Sequence, residues 1–212
     1  MLRPTIVALA LGSLACGLPD FGETFPPPPL EPAPAPELPA AEVAAPAAAA
    51  APATSGSTVV APSYGYRLVL PPGFPAASRD SMSVPTAIGD IVTELYTSCT
   101  LDGTCVMVNG ATYPAVAFTA QDTKTMLDGA RNGALANVGA TLGSETELTV
   151  GGFPAREFQA TASQQGITFH IRALMVVKQP HLIMVQWLGT DPSSRISPAA
   201  NTFFSSLTFD AG

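Results

Sequence analysis

The clearest alternation of apolar and polar positions runs from Glu145 to Leu188, ETELTVGGFPAREFQATASQQGITFHIRALMVVKQPHLIMVQWL. Apolar-rich runs separated by short turns are the pattern of antiparallel strands. Strands are expected over Thr146–Val150 and Ala155–Ala162, with Gly151-Gly152 as the turn between them. A hairpin of Ile167–Val177 and Leu182–Leu188 should fold around Lys178-Gln179-Pro180-His181. If Val177 faces Leu182, then Met175 faces Met184 and Ile171 faces Leu188 on one side of the sheet. Val176–Ile183 and Leu174–Val185 pair on the other side. Both faces of this hairpin are apolar, so both must be covered, and a three-layer arrangement follows.

The pattern is weaker upstream. Tyr64–Leu70 reads as a strand closed by Pro71-Pro72-Gly73, and Phe74–Asp90, with Pro75 and Pro85, reads as irregular. Ile91–Cys99 and Cys105–Tyr113 form a second hairpin around Leu101-Asp102-Gly103, which sets Cys99 opposite Cys105. One long helix is expected to open at Thr119, with Asp122 three residues on as in a capping box. Met126, Leu127, Ala130, Ala134, Leu135 and Val138 then share a face, and Gly139 stops the helix. Gly129 and Gly133 weaken that helix, and their spacing brings one side of it close to the sheet. Asp191-Pro192 and Pro198 are helix-start signals, Asn201–Ser206 a short helix, and Leu207–Phe209 a last strand.

Composition divides the chain. Twelve of its 22 prolines precede Thr58, among dense alanines, so residues 16–58 read as a Pro/Ala-rich disordered linker and residues 59–212 as one folded domain. Of the net charge of −7, the folded part carries only eleven acids against eight bases. No basic patch points to nucleic acid. Before the linker, Arg3 and the apolar run to about Leu14 have the length of a secretory core segment, too short to span a bilayer. Residues 1–15 therefore read as a signal peptide, and Ser13-Leu14-Ala15 before Cys16 resembles the bacterial lipoprotein box, despite Ser13 where that box usually has Leu. The resemblance implies acylation of Cys16. The alternative is a secreted chain cut after the same Ala15. Acylation of Cys16 would leave Cys99 and Cys105 as an even pair in an oxidising compartment, where a disulfide across the second hairpin is expected.

The run LTVGGFPAREF, with Leu148, Val150, Gly151, Phe153, Pro154, Arg156, Glu157 and Phe158, resembles a signature of small bacterial lipoprotein domains with the PsbP-like α/β/α sandwich. The closing FFSSLTF at Phe203–Phe209 is similar to their C-terminal helix, with Ser205 and Leu207 as departures. The resemblance spans roughly residues 64–209. It implies an α+β fold, an antiparallel sheet with helices on both faces, and says little of activity.

No motif points to a reaction. There is no G-x-S-x-G elbow, no phosphate-binding Gly-Lys-Ser/Thr loop, no G-x-G-x-x-G and no zinc-spaced Cys/His set. His170 and His181 fall near opposite ends of one hairpin, too far apart to share a metal. Glu145 and Glu147 read as solvated acids, and Arg156 and Glu157 as a packed corner or ion pair. Arg172 lies opposite Trp187, the one tryptophan, and the two form a candidate partner contact. The competing reading buries Trp187 and lets Arg172 snorkel from its edge. The expectation is a lipid-anchored, non-enzymatic domain facing the periplasm or cell surface, without a cofactor. Its partners would be the membrane, through Cys16, and an envelope protein. A small-ligand sensing module and a hydrolase with an unrecognised site remain as alternatives.

Overall fold

The computed structural model describes residues 57–86, 89–120 and 123–210; the expected signal peptide, Cys16 and the expected linker as far as residue 56 lie outside them. Ten strands, β1 (Thr58–Ala61), β2 (Tyr66–Val69), β3 (Ser78–Thr86), β4 (Gly89–Cys99), β5 (Cys105–Thr112), β6 (Thr141–Val150), β7 (Phe153–Gln164), β8 (Ile167–Lys178), β9 (His181–Gly189) and β10 (Thr208–Phe209), are described. The helices are α1 (Ala115–Ala120), α2 (Thr123–Val138) and α3 (Pro198–Ser205), with a 3₁₀ turn at Ser194–Ile196. Seven strands form one antiparallel sheet in the order β3-β4-β5-β9-β8-β7-β6. A small sheet, β1-β2-β10, brings both ends of the domain onto β2.

The β8–β9 hairpin pairs in the register expected, with Val177 opposite Leu182, Met175 opposite Met184 and Ile171 opposite Leu188. Because its two faces are equally apolar, it sits at the middle of the sheet and feeds two separate cores. On one face Met175, Val177, Leu182 and Met184 pack with Leu127 and Ala130 of α2. On the other, Leu174, Val176, Ile183 and Val185 pack with Tyr66 and Leu68 of the small sheet and with Phe203 of α3.

Helix ends follow their local chemistry. Gly139 at φ 61° closes α2, and the Ala140 amide donates to the Leu135 carbonyl, the signature of a Schellman stop. Ser197 caps α3, its hydroxyl accepting from the Ala200 amide, with Pro198 in the first turn. The hairpin turn at Leu101-Asp102-Gly103 sets Cys99 opposite Cys105, and the two are disulfide-bonded.

Three expectations are corrected. The stretch expected to be irregular holds β3, paired along its length to β4. Its sequence SRDSMSVPT hides the strand because β3 is an edge with both faces largely exposed, so no hydrophobic alternation is required of it. Pro85 is tolerated near the end of that edge. Thr119 does not open the long helix: it belongs to α1, and α2 begins at Thr123. The proposed capping acid, Asp122, lies outside the described residues. Finally, β1 went unread, since TVVA is too short to show a period, and β6 begins at Thr141 rather than Thr146.

Gly110 is required where Tyr64 lies flat against β5. A Cβ there would meet Tyr64 ring atoms at 2.8–2.9 Å. Gly110→Ala is therefore expected to destabilise by roughly 1–2 kcal/mol, overpacking outweighing the backbone gain. Thermal unfolding should show the loss, and in a Tyr64→Ala background the same change should cost little.

Candidate functional site

Polar side chains gather at three places on the large sheet. The first is under α2. Arg156 is only 2 % exposed, and as a buried cation it requires partners. It donates to Asp128 of α2 and, at 3.0 Å, to Glu147 Oε1, while its Nε lies 3.1 Å from Glu145 Oε1. Arg131 reaches Glu145 and lies 3.5 Å from Asp128, and Lys124 lies 3.0 Å from Glu147. The Arg156 hydrogen bond holds the Asp128 carboxyl below the usual carboxylate range, and Lys124, followed by Arg156, does the same for Glu147. Glu145 and Glu147 are exposed, as expected, and also bridge strand β6 to Arg131, Lys124 and Arg156.

Arg156 and Glu157 are both ion-paired, but on opposite faces, as neighbours on a strand must be. Glu157 takes Arg172 in a two-pronged bond, Nε to Oε1 at 3.0 Å and a terminal nitrogen to Oε2 at 3.1 Å. The remaining Arg172 nitrogen donates to Asn201 Oδ1 at 2.6 Å and to the Arg195 carbonyl at 3.3 Å. Arg172 is opposite Trp187 in register, yet its guanidinium lies over the Phe204 ring, 4.4 Å from the centroid. Trp187 is 3 % exposed, edge-on to Phe74 and Phe203. The structure places the sequence's candidate contact pair here, at the base of α3.

The third cluster gave no sign in the sequence beyond the Tyr64-Gly65-Tyr66 spacing. Three of the four tyrosines meet there. Tyr96 donates to Glu94 Oε2 at 3.0 Å and Arg79 to Glu94 Oε1 at 2.6 Å, so the half-open β3–β4 edge closes over a buried carboxylate. The Tyr64 hydroxyl donates to the Val92 carbonyl at 3.4 Å, and its ring meets His181 edge-on at 5.1 Å. His181 Nδ1 lies 3.0 Å from Thr112 Oγ1. Lys178 donates to the Gly65 carbonyl at 3.2 Å. The Tyr66 hydroxyl is buried without a hydrogen-bond partner. Burial first, then the neighbouring Tyr96, Glu94 and Tyr64, pushes Tyr66 far up; burial also raises Tyr64 and Tyr96. Tyr64 and Tyr96 act as donors, and Tyr66 as a packing surface.

A cleft between α2 and strands β4, β5 and β9 is lined by Leu95, Met107, Asn109, Asn137 and Gln186 among others. Asn109 Oδ1 is buried there without a partner. The free space is about 20 Å³, that of a water molecule or so. Among the described residues no group of three or more His, Cys, Asp or Glu side chains could hold a metal, and no helix is long and apolar enough to cross a membrane. His170 and His181 lie at opposite ends of the β8–β9 hairpin.

No family model matches the chain, and no curated protein matches it. Solved structures similar to it include cyanobacterial PsbP (CyanoP) from Synechocystis sp. PCC 6803, at 13 % identity and TM-score 0.48, covering 73 % of this chain and 92 % of that one. Another is LpqN of Mycobacterium tuberculosis, described as involved in cell envelope biogenesis, at 15 % identity and TM-score 0.42, covering 74 % and 86 %.

Burial, and then the nearby Lys178, holds His181 below its ordinary value. The unfolded chain therefore binds the proton more tightly than the folded one, and stability falls as pH drops below about 6.5 toward the depressed folded value. The melting temperature should fall over that window in the wild type. In His181→Gln the fall should be shallower; an unchanged slope would show that His181 stays uncoupled from folding.

Proposed function

We propose that this chain is a lipid-anchored domain of the cell envelope, of PsbP-like α/β/α architecture. Its role is to bind or assemble other envelope components rather than to catalyse a reaction. The observation that carries this reading is the open edge at β3. That strand is nine residues long, pairs on one side only among the described residues, and is exposed at seven of its nine positions. Its two charges are Arg79, held by Glu94, and Asp80. Proteins usually blunt such an edge, and one left open offers its outer main-chain groups to an added strand. The Cys99–Cys105 disulfide supports export, since such bonds persist in oxidising compartments. The cleft beside α2 argues for an ordered water over a small ligand, whose pockets run to about 300 Å³ or more.

A photo-crosslinker at Met82 of the full chain, activated in the native envelope, is expected to capture one discrete protein. Ser81→Lys with Ser83→Lys should cut that yield about tenfold or more without lowering the melting temperature. Crosslinking no stronger at Met82 than at exposed Val69 would overturn the reading.

The anchor is tested separately. The wild type should sediment with membranes, whereas Cys16→Ser should become soluble or stay unprocessed, because stable anchoring needs more than one acyl chain or signal. A processed Cys16→Ser chain that fractionates like the wild type would remove the anchor from the proposal.

A further inference from the structure

Leu101, Ile196 and Ile167 are the most exposed large hydrophobic side chains among the described residues, at 103 %, 59 % and 50 %. They are far apart in sequence, yet the register gathers them at one end of the sheet. Leu101 tips the β4–β5 turn, and Cys105 at the base of that turn pairs with Leu188 near the end of β9. His170 of β8 pairs with Gly189, so Ile167, just after the β7–β8 turn, projects beyond the same end. Ile196 belongs to the 3₁₀ turn that follows β9. A Cβ on Gly189 would lie 2.5 Å from Ser194 Oγ and 3.7 Å from Thr104 Oγ1, so two of the loops meet there. The tips of the β4–β5 and β7–β8 hairpins stand about three strand spacings apart, roughly 14 Å.

The Leu101 tip is held in place. The disulfide closes its base, the Thr100 amide donates to the Thr104 carbonyl at 2.9 Å, and Asp102 Oδ1 accepts from the Thr104 amide at 3.2 Å and from the Thr100 hydroxyl. A turn backbone held this firmly loses little further freedom when its tip inserts.

The first described residues lie at this same end. Ser57 accepts a hydrogen bond from the Leu70 amide at 2.8 Å, Phe74 meets Trp187 edge-on, and Ser98, beside Cys99, donates to the Pro75 carbonyl at 2.7 Å. The opposite end holds Gly65 against Lys178. Ser57, the first described residue, therefore stands on the side of the three aliphatic tips. The charged side chains of these loops are Asp102, Asp191 and Arg195, with no basic excess to favour anionic headgroups.

We propose that this end is a membrane-docking face, on which Leu101, Ile167 and Ile196 dip into the interface of the bilayer that Cys16 anchors. The inference rests on the lipid-anchor reading for its tether. Three aliphatic tips give weak binding by themselves, and a tether raises the effective concentration of the membrane.

The test uses the full chain with single tryptophan replacements, Leu101→Trp, Ile167→Trp, Ile196→Trp and, at the far end of the sheet, Val92→Trp. Each is mixed with phosphatidylcholine vesicles carrying brominated acyl chains, with buried Trp187 as common background. Emission at the three tips should shift to the blue and be quenched, and that at Val92 should stay unchanged. Absence of quenching at the tips, or equal quenching at Val92, overturns the docking face; tips occupied by a protein partner would also remain unquenched. Acylated and Cys16→Ser chains are read side by side, the latter with excess vesicles. A chain found unacylated in its native envelope sinks the anchor, while tip quenching of the Cys16→Ser chain still decides the docking face by itself.

Discussion

The β8–β9 hairpin imposes the condition that the rest of the fold meets. Val176, Ile183 and Val185 are wholly buried on one face, and Met175 and Met184 wholly or nearly so on the other. A hairpin apolar on a single face could lie at a surface. One apolar on both needs a cover above and below, and the burial of each large aliphatic side chain is worth about 1.5–3 kcal/mol. The helix α2 and the small sheet with α3 are the two covers, and the remaining strands extend the surface on which those covers rest.

Charge keeps each cover in place. Arg156 stands at the seam between α2 and the sheet, and Arg172 at the seam between the sheet and α3, on alternate faces of neighbouring strands. Neither cation is free in solvent, and hydrogen bonds to charged groups contribute about 1.5–3 kcal/mol each where they are shielded. Apolar burial supplies the drive, but it is nondirectional. The guanidinium forks fix where along the sheet each cover sits.

What was legible in the sequence was what burial forces into a period. The β8–β9 register could be read residue by residue because every position there is constrained from both sides. The disulfide was legible because a three-residue turn left Cys99 and Cys105 directly opposite. β3 was not legible, since an edge exposed on both faces obeys no alternation. The tyrosine cluster was hidden for another reason. Tyr64, Glu94, Thr112 and His181 come from four separate elements, and the side on which Glu94 lies becomes known only once β4 is paired with both neighbours. The contacts of Arg172 with Asn201 and Phe204 were equally out of reach, because they depend on where α3 lands after the chain has left the sheet.

The small sheet has a consequence for when the domain can finish folding. Its middle strand, β2, is made near the start of the domain, yet one of its partners, β10, is almost the last segment synthesised. Phe203 and Leu207, which close the core beneath that sheet, arrive just before it. Contacts this distant along the chain are slow to form and cannot exist in a partial product. A partly synthesised chain thus lacks one wall of its core until its C-terminal strand is made. The order of the strands places completion of this wall at the end of synthesis.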